Sequence, residues 1–120
     1  MLTIGVVEDD PSFRRALRRL LSTTGFSVAT YASAEDFLAS ESVGATACLV
    51  LDVHLGGMSG FDLQQRLVTA GLPIPTIFIT AHDDPVTRER ARSGCAYLRK
   101  PFRQDALLAA IQRALEDRGA

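Results

Sequence analysis

The stretch LVLDVHLGGMSG, Leu49 to Gly60, is an apolar run that climbs to a single aspartate, Asp52, and breaks at once into glycines. With Thr46–Cys48 ahead of it, the run is near-continuous in strand-forming apolar residues. This is the pattern of a strand covered on both faces, and therefore of a parallel sheet. A lone carboxylate closing such a strand marks the rim of the sheet and needs a chemical reason to be there.

Four more short apolar runs lie on either side: TIGVV, FSVATY, PTIFIT and CAYL. Between them the spacing switches to that of amphipathic helices. Pro11 fits a first helical position after the capping Asp10, and Phe13, Ala16, Leu17, Leu20 and Leu21 form one face that closes at Gly25. Ser33 with Asp36 reads as a capping box. Further helices start at Ser59 and stop at Gly71, and start at capping aspartates Asp83 and Asp84 and stop at Gly94. A last helix follows Pro101, with Leu107, Leu108, Ile111, Ala114 and Leu115 on one face. Five strand–helix units in succession predict an α/β fold, a doubly wound five-stranded parallel sheet of flavodoxin-like order 2-1-3-4-5 with five helices. One domain over residues 1–120 accounts for the whole chain.

The bulk numbers agree with that reading and exclude others. Hydrophobic residues make up 47% and charged residues 22%, with a net charge of −1, so neither nucleic acid nor an anionic membrane is an expected partner of this domain. No apolar stretch reaches the roughly 20 residues of a bilayer span. The start, MLTIGVVEDD, has no basic region or cleavage site, and the expected compartment is the cytoplasm. Cys48 and Cys95 sit in apolar contexts without metal-like spacing and read as two buried core residues.

In open α/β sheets the ligand sits beyond the carboxyl ends of the strands. Glu8, Asp9 and Asp10 end the first strand, Asp52 the third and Thr80 the fourth, and Lys100 follows the fifth. With strands one, three and four side by side, Glu8, Asp9 and Asp52 converge. Two carboxylates about 4 Å apart repel by roughly 4 kcal/mol at an effective dielectric of 20, which a cation or a proton must offset. The donors are all hard oxygens, which selects Mg²⁺, or Mn²⁺, over zinc. An acidic magnesium site with a lysine and a hydroxyl beside it suits phosphoryl transfer. Taken singly, the residues have plainer readings: Asp10 as a helix N-cap, Glu8 or Asp9 as helix-dipole partners, Lys100 as a surface lysine and Thr80 as a strand-end hydroxyl.

The stretches VVEDDPSFRRAL, LVLDVHLGGMSGFDL, IFITAH and YLRKPF, in that order, resemble the receiver domain of two-component response regulators, over essentially the whole chain. SFRRALRRLLSTTGF and YASAEDFL are most similar to receivers joined to a helix-turn-helix DNA-binding domain. The resemblance implies a signalling switch rather than an enzyme, one that carries its own phosphotransfer and autodephosphorylation chemistry. It implies that Asp52 accepts a phosphoryl group from a sensor histidine kinase. Asp9 would ligate Mg²⁺ directly and Glu8 through water, with Asp52 and the backbone carbonyl of His54 completing the protein ligands. Lys100 would pair with the phosphoryl oxygens, Thr80 would shift toward them, and Tyr97 would turn inward behind Thr80. The Lys100–Pro101 peptide would be cis. The switch would act through the fourth helix, fifth strand and fifth helix, where a phosphorylation-dependent homodimer would form.

Four features depart from the family pattern. Glu8 replaces the more usual aspartate. Gly56 stands where proline is common, which frees the loop after Asp52. SGCAYL is one residue short before Tyr97. The only two histidines, His54 and His82, fall two residues after Asp52 and two after Thr80, positions that the resemblance implies set the lifetime of the phosphoryl group. Histidines there predict a lifetime that changes between about pH 6 and 7, the plainer reading being two solvated loop residues. Arg14, Arg15, Arg18 and Arg19 read as a kinase-docking face or a solvated one. Arg88, Arg90, Arg92 and Arg99 read as a solvated face or as dimer partners of Asp105, Glu116 or Asp117. Two rivals remain: an aspartate-nucleophile phosphatase, against which His54 stands where a second acid is needed, and a degenerate receiver that only binds partners.

Overall fold

The computed structural model describes residues 2–118; Met1, Gly119 and Ala120, included in the expected domain, lie outside the described residues. Five strands, β1 (Thr3–Val7), β2 (Ser27–Tyr31), β3 (Thr46–Asp52), β4 (Thr76–Thr80) and β5 (Ala96–Arg99), alternate with helices α1 (Pro11–Ser22), α2 (Ala34–Ala39), α3 (Gly60–Thr69), α4 (Pro85–Arg90) and α5 (Gln104–Arg118). The strands are all parallel, in the order β2-β1-β3-β4-β5.

The period of two along each central strand divides the core between two helical layers. Ile4, Val6, Cys48, Val50, Ile77 and Ile79 pack with Leu17 and Leu21 of α1 and Leu107 and Ile111 of α5. Val7, Leu49, Leu51 and Phe78 pack on the other face with Phe37, Phe61, Leu63, Leu67 and Ala91. Every residue of β3 and β4 is buried, as the uninterrupted apolar runs require. Full burial of each large side chain contributes about 1.5–3 kcal/mol, which anchors the strand ends where the charged residues collect.

The caps explain where the helices start. Asp10 accepts the amides of Ser12 and Phe13, and Ser59 and Asp62 complete a reciprocal capping box. At α2 half of the expected box forms: Ser33 accepts the Asp36 amide. The tandem aspartates before α4 divide their roles. Asp84 caps the helix through the Thr87 amide, whereas Asp83 turns away to Arg88 and Tyr97. α4 is also shorter than its pattern suggests, passing into a 3₁₀ turn over Ala91–Ser93 before Gly94.

One core expectation is corrected. Cys48 is buried, but Cys95 is exposed, because it precedes the first paired residue of β5, Ala96 opposite Ile77. Its amide, donating to the Thr76 carbonyl at 2.7 Å, nevertheless ties the short SGCAYL segment into the sheet edge.

Candidate functional site

The acidic rim is built by strand register. Val6 and Val50 lie on the α1/α5 face of the sheet, and the period of two carries Glu8 and Asp52 to the same side at the carboxyl ends of β1 and β3. Glu8 is fully buried and Asp52 is 4% exposed; Asp9 is exposed. One carboxylate oxygen from each of the three lies within 4.8 Å of the others.

Lys100, just beyond β5, reaches across the rim. Its Nζ donates to Glu8 Oε1 and, at 3.0 Å, to Asp52 Oδ2, and it stands 4.5 Å from the centroid of the Phe13 ring. The second oxygens of both acids are also held: Asp10 N–H donates to Glu8 Oε2 at 3.1 Å and His54 N–H to Asp52 Oδ1 at 3.0 Å. Arg14 clamps the turn by donating to the Glu8 carbonyl at 2.9 Å. Burial raises the pKa of Glu8 and outweighs the opposing hydrogen bonds from Lys100 and the Asp10 amide. Burial works in the opposite sense on Lys100, but the hydrogen bonds to Glu8 and Asp52 prevail and raise its pKa. Three carboxylates thus converge at the rim on a single ammonium, which bonds two of them.

Gly60 lets the chain return beside Asp52. Its amide donates to the Val53 carbonyl at 3.0 Å, and a Cβ there would collide with the Asp52 carbonyl oxygen. The Lys100–Pro101 peptide is cis.

Thr80 is buried at the end of β4. Its hydroxyl accepts from the His82 amide at 3.0 Å and donates to the His82 carbonyl at 3.2 Å, so it caps its own loop. Tyr97 stands opposite Phe78 in the register. Its hydroxyl donates to Asp83 Oδ1 at 3.0 Å, and Asp83 accepts from Arg88 Nη2 at 2.9 Å. The Arg88 guanidinium, then the Tyr97 hydroxyl, hold the Asp83 carboxyl below its usual range. His54 and His82 are exposed and meet edge to face, ring centroids 5.1 Å apart.

The structure thus brings Glu8, Asp9, Asp52 and Lys100 together, with Thr80 and the histidine pair on the adjoining loops. Among the arginines offered as partner contacts, Arg88 and Arg92 pair within the chain to Asp83 and Glu89, and Asp105 pairs with Arg103. The sequence reading missed Asp83 as the partner of Tyr97, and also Arg14 and Phe13 as supports of Glu8 and Lys100. Arg14 lies six residues from Glu8 in the VVEDDPSFRRAL stretch and was legible there; Phe13 meets Lys100 from the far end of the chain and Asp83 meets Tyr97 across 14 residues, and neither was.

Fold and site together define a flavodoxin-like domain with a lysine-bridged acidic rim at the carboxyl end of its sheet. The chain belongs to the family of response regulator receiver domains, whose family model matches residues 4–112. It is 46% identical to nodulation protein W of Bradyrhizobium diazoefficiens, over 92% of this chain and 50% of that protein. It is 35% identical to the transcriptional regulatory protein FixJ of Rhizobium meliloti, over 95% and 57% of the respective chains. Among solved structures it superposes on the response regulator StyR with a TM-score of 0.89 at 42% identity, covering 98% of this chain and 60% of that one. On FixJ-N the TM-score is 0.85 at 33% identity, with 97% and 94% covered. The chain spans about half the length of the full-length relatives it matches. Among the described residues no helix is long and apolar enough to cross a membrane.

Proposed function

We propose that this domain accepts a phosphoryl group on Asp52 from a phosphohistidine of a sensor histidine kinase in the cytoplasm, and that the modification switches an output, transcription through a DNA-binding domain. The observation that carries this reading is the buried Glu8–Lys100–Asp52 arrangement, a charge constellation that adds nothing to a core but suits a transferring phosphoryl group.

The carboxylates of Glu8, Asp9 and Asp52 with the His54 carbonyl form an all-oxygen donor set that fits Mg²⁺, and Mn²⁺ by the same chemistry. Bound there, the ion supplies charge neutralisation for the phosphoryl oxygens. Asp52 attacks phosphorus with a carboxylate oxygen; the new P–O bond forms as the P–N bond to the donor imidazole breaks. Lys100 supplies the ammonium that meets the phosphoryl charge. The Thr80 hydroxyl exchanges its bonds to the His82 backbone for a phosphoryl oxygen. That exchange moves the loop carrying Asp83, the acceptor of the Tyr97 hydroxyl, so Thr80 and Tyr97 respond together. The responding surface is α4, β5 and α5, where we place a phosphorylation-dependent homodimer. His54 and His82, packed edge to face over the loops, set the lifetime by controlling how water reaches the aspartyl phosphate.

The test is intact-mass spectrometry after incubation with Mg²⁺ and a small acyl phosphate. The expected gain is one phosphoryl group, absent in Asp52→Asn and without metal. No gain from that donor or from a phosphorylated sensor kinase would refute the reading, and multiple turnover of a free phosphate ester would favour the phosphatase instead.

A further inference from the structure

The loop that carries His54 holds two adjacent glycines, Gly56 and Gly57. A side chain 23 residues before Met58 ties it down. Glu35, in the first turn of α2, extends across the surface, and its Oε2 accepts the backbone N–H of Met58 at 3.1 Å. Gly57 makes the approach possible: it sits at φ +78°, and a Cβ there would lie 2.6 Å from the same oxygen. The base of Glu35 is fixed, because its neighbours Ala34 and Phe37 are fully buried and Ser33 caps the helix. On the loop side, Leu55 and Met58 pack against the core around Phe37 and Phe61. The Glu35 bond is therefore the polar tie of a segment otherwise held by two apolar side chains that enclose two glycines.

We propose that Glu35 is a positioning residue for the phosphorylation site: it straps the loop between β3 and α3 to α2 and so holds the His54 carbonyl and the Asp52 carboxylate in the arrangement that binds the divalent cation. Glu35 touches neither reacting atoms nor metal; it acts through Met58. This rests on the proposed receiver chemistry for its consequence, but the strap itself is a backbone contact that can be measured without any transfer.

The role requires an acceptor oxygen at position 35, not a charge. Glu35→Gln keeps one and retains the strap; Glu35→Ala removes it.

The experiment compares wild type, Glu35→Ala and Glu35→Gln by amide hydrogen exchange at Met58 and by NMR titration with MgCl₂ at the His54 amide. Loss of one charge-assisted hydrogen bond is expected to speed Met58 exchange about tenfold and to weaken Mg²⁺ binding about three- to tenfold in Glu35→Ala. Glu35→Gln should stay within about twofold of wild type on the same scale. Unchanged Mg²⁺ affinity in Glu35→Ala would overturn the proposal, as would a loss that Gln shares. Wild type that binds Mg²⁺ through an intact strap yet takes no phosphoryl group would instead count against the proposed function and leave the strap standing.

Discussion

Removing the ammonium of Lys100 exposes the cost of the rim. Lys100→Met keeps the side-chain length and the contact with Phe13 but leaves Glu8 and Asp52 facing each other. With oxygens up to 4.8 Å apart, their repulsion at an effective dielectric of 20 is about 3–4 kcal/mol. Neither carboxylate can escape into water, since Glu8 is fully buried and Asp52 nearly so. Breaking one side of a buried ion pair costs about 3–5 kcal/mol by the same logic, so the variant should lose about 3 kcal/mol at pH 7 in EDTA. For a domain of this size that lowers the urea midpoint by about 1–2 M. Two controls separate electrostatics from packing. Glu8→Gln/Lys100→Met has one carboxylate fewer and should regain most of the loss. Saturating MgCl₂ should restore Lys100→Met, as binding at about 100 times Kd adds about 2.7 kcal/mol to the native state. An unchanged midpoint in Lys100→Met, or a double variant no more stable than the single one, would refute the charge argument.

Asp83 has its pKa lowered by Arg88 and then by Tyr97, so its contribution to stability is present above the ordinary carboxylate range and is lost as pH falls through the depressed value. Calorimetry of Asp83→Asn should therefore show a destabilisation at pH 7 that vanishes in acid, below that depressed value. Gly60→Ala should cost about 1–3 kcal/mol in urea unfolding, because its methyl group meets the Asp52 carbonyl backbone rather than a side chain that can move. A thiol reagent on the native protein should label one cysteine, Cys95; Cys48, buried with its thiol pushed up to about 12, should react only on unfolding.

Much of this molecule is written locally. The uninterrupted burial of β3 follows from its apolar run, the start of α1 from Asp10 and Pro11, and the strand order from alternation and the handedness of crossovers. The convergence of Glu8, Asp9 and Asp52 was legible for the same reason: period two and parallel pairing put the ends of β1 and β3 side by side whatever the side chains do afterwards. Cys95 was misread because its apolar neighbours belong to a strand that starts one residue later. Asp84 stands before Pro85 as Asp10 stands before Pro11, so its capping role was legible; that Asp83 latches Tyr97 depends on where β5 places that residue.

The chain by itself determined the periodicities, the caps and which strand ends carry charge, since these depend on neighbours within a few residues. Tertiary structure alone decided the partners: Lys100 on Glu8 and Asp52, Tyr97 on Asp83, Glu35 on Met58. Those contacts join segments 14 to 92 residues apart, and a hydrogen bond forms only where the packed layers bring a donor and an acceptor within about 3 Å.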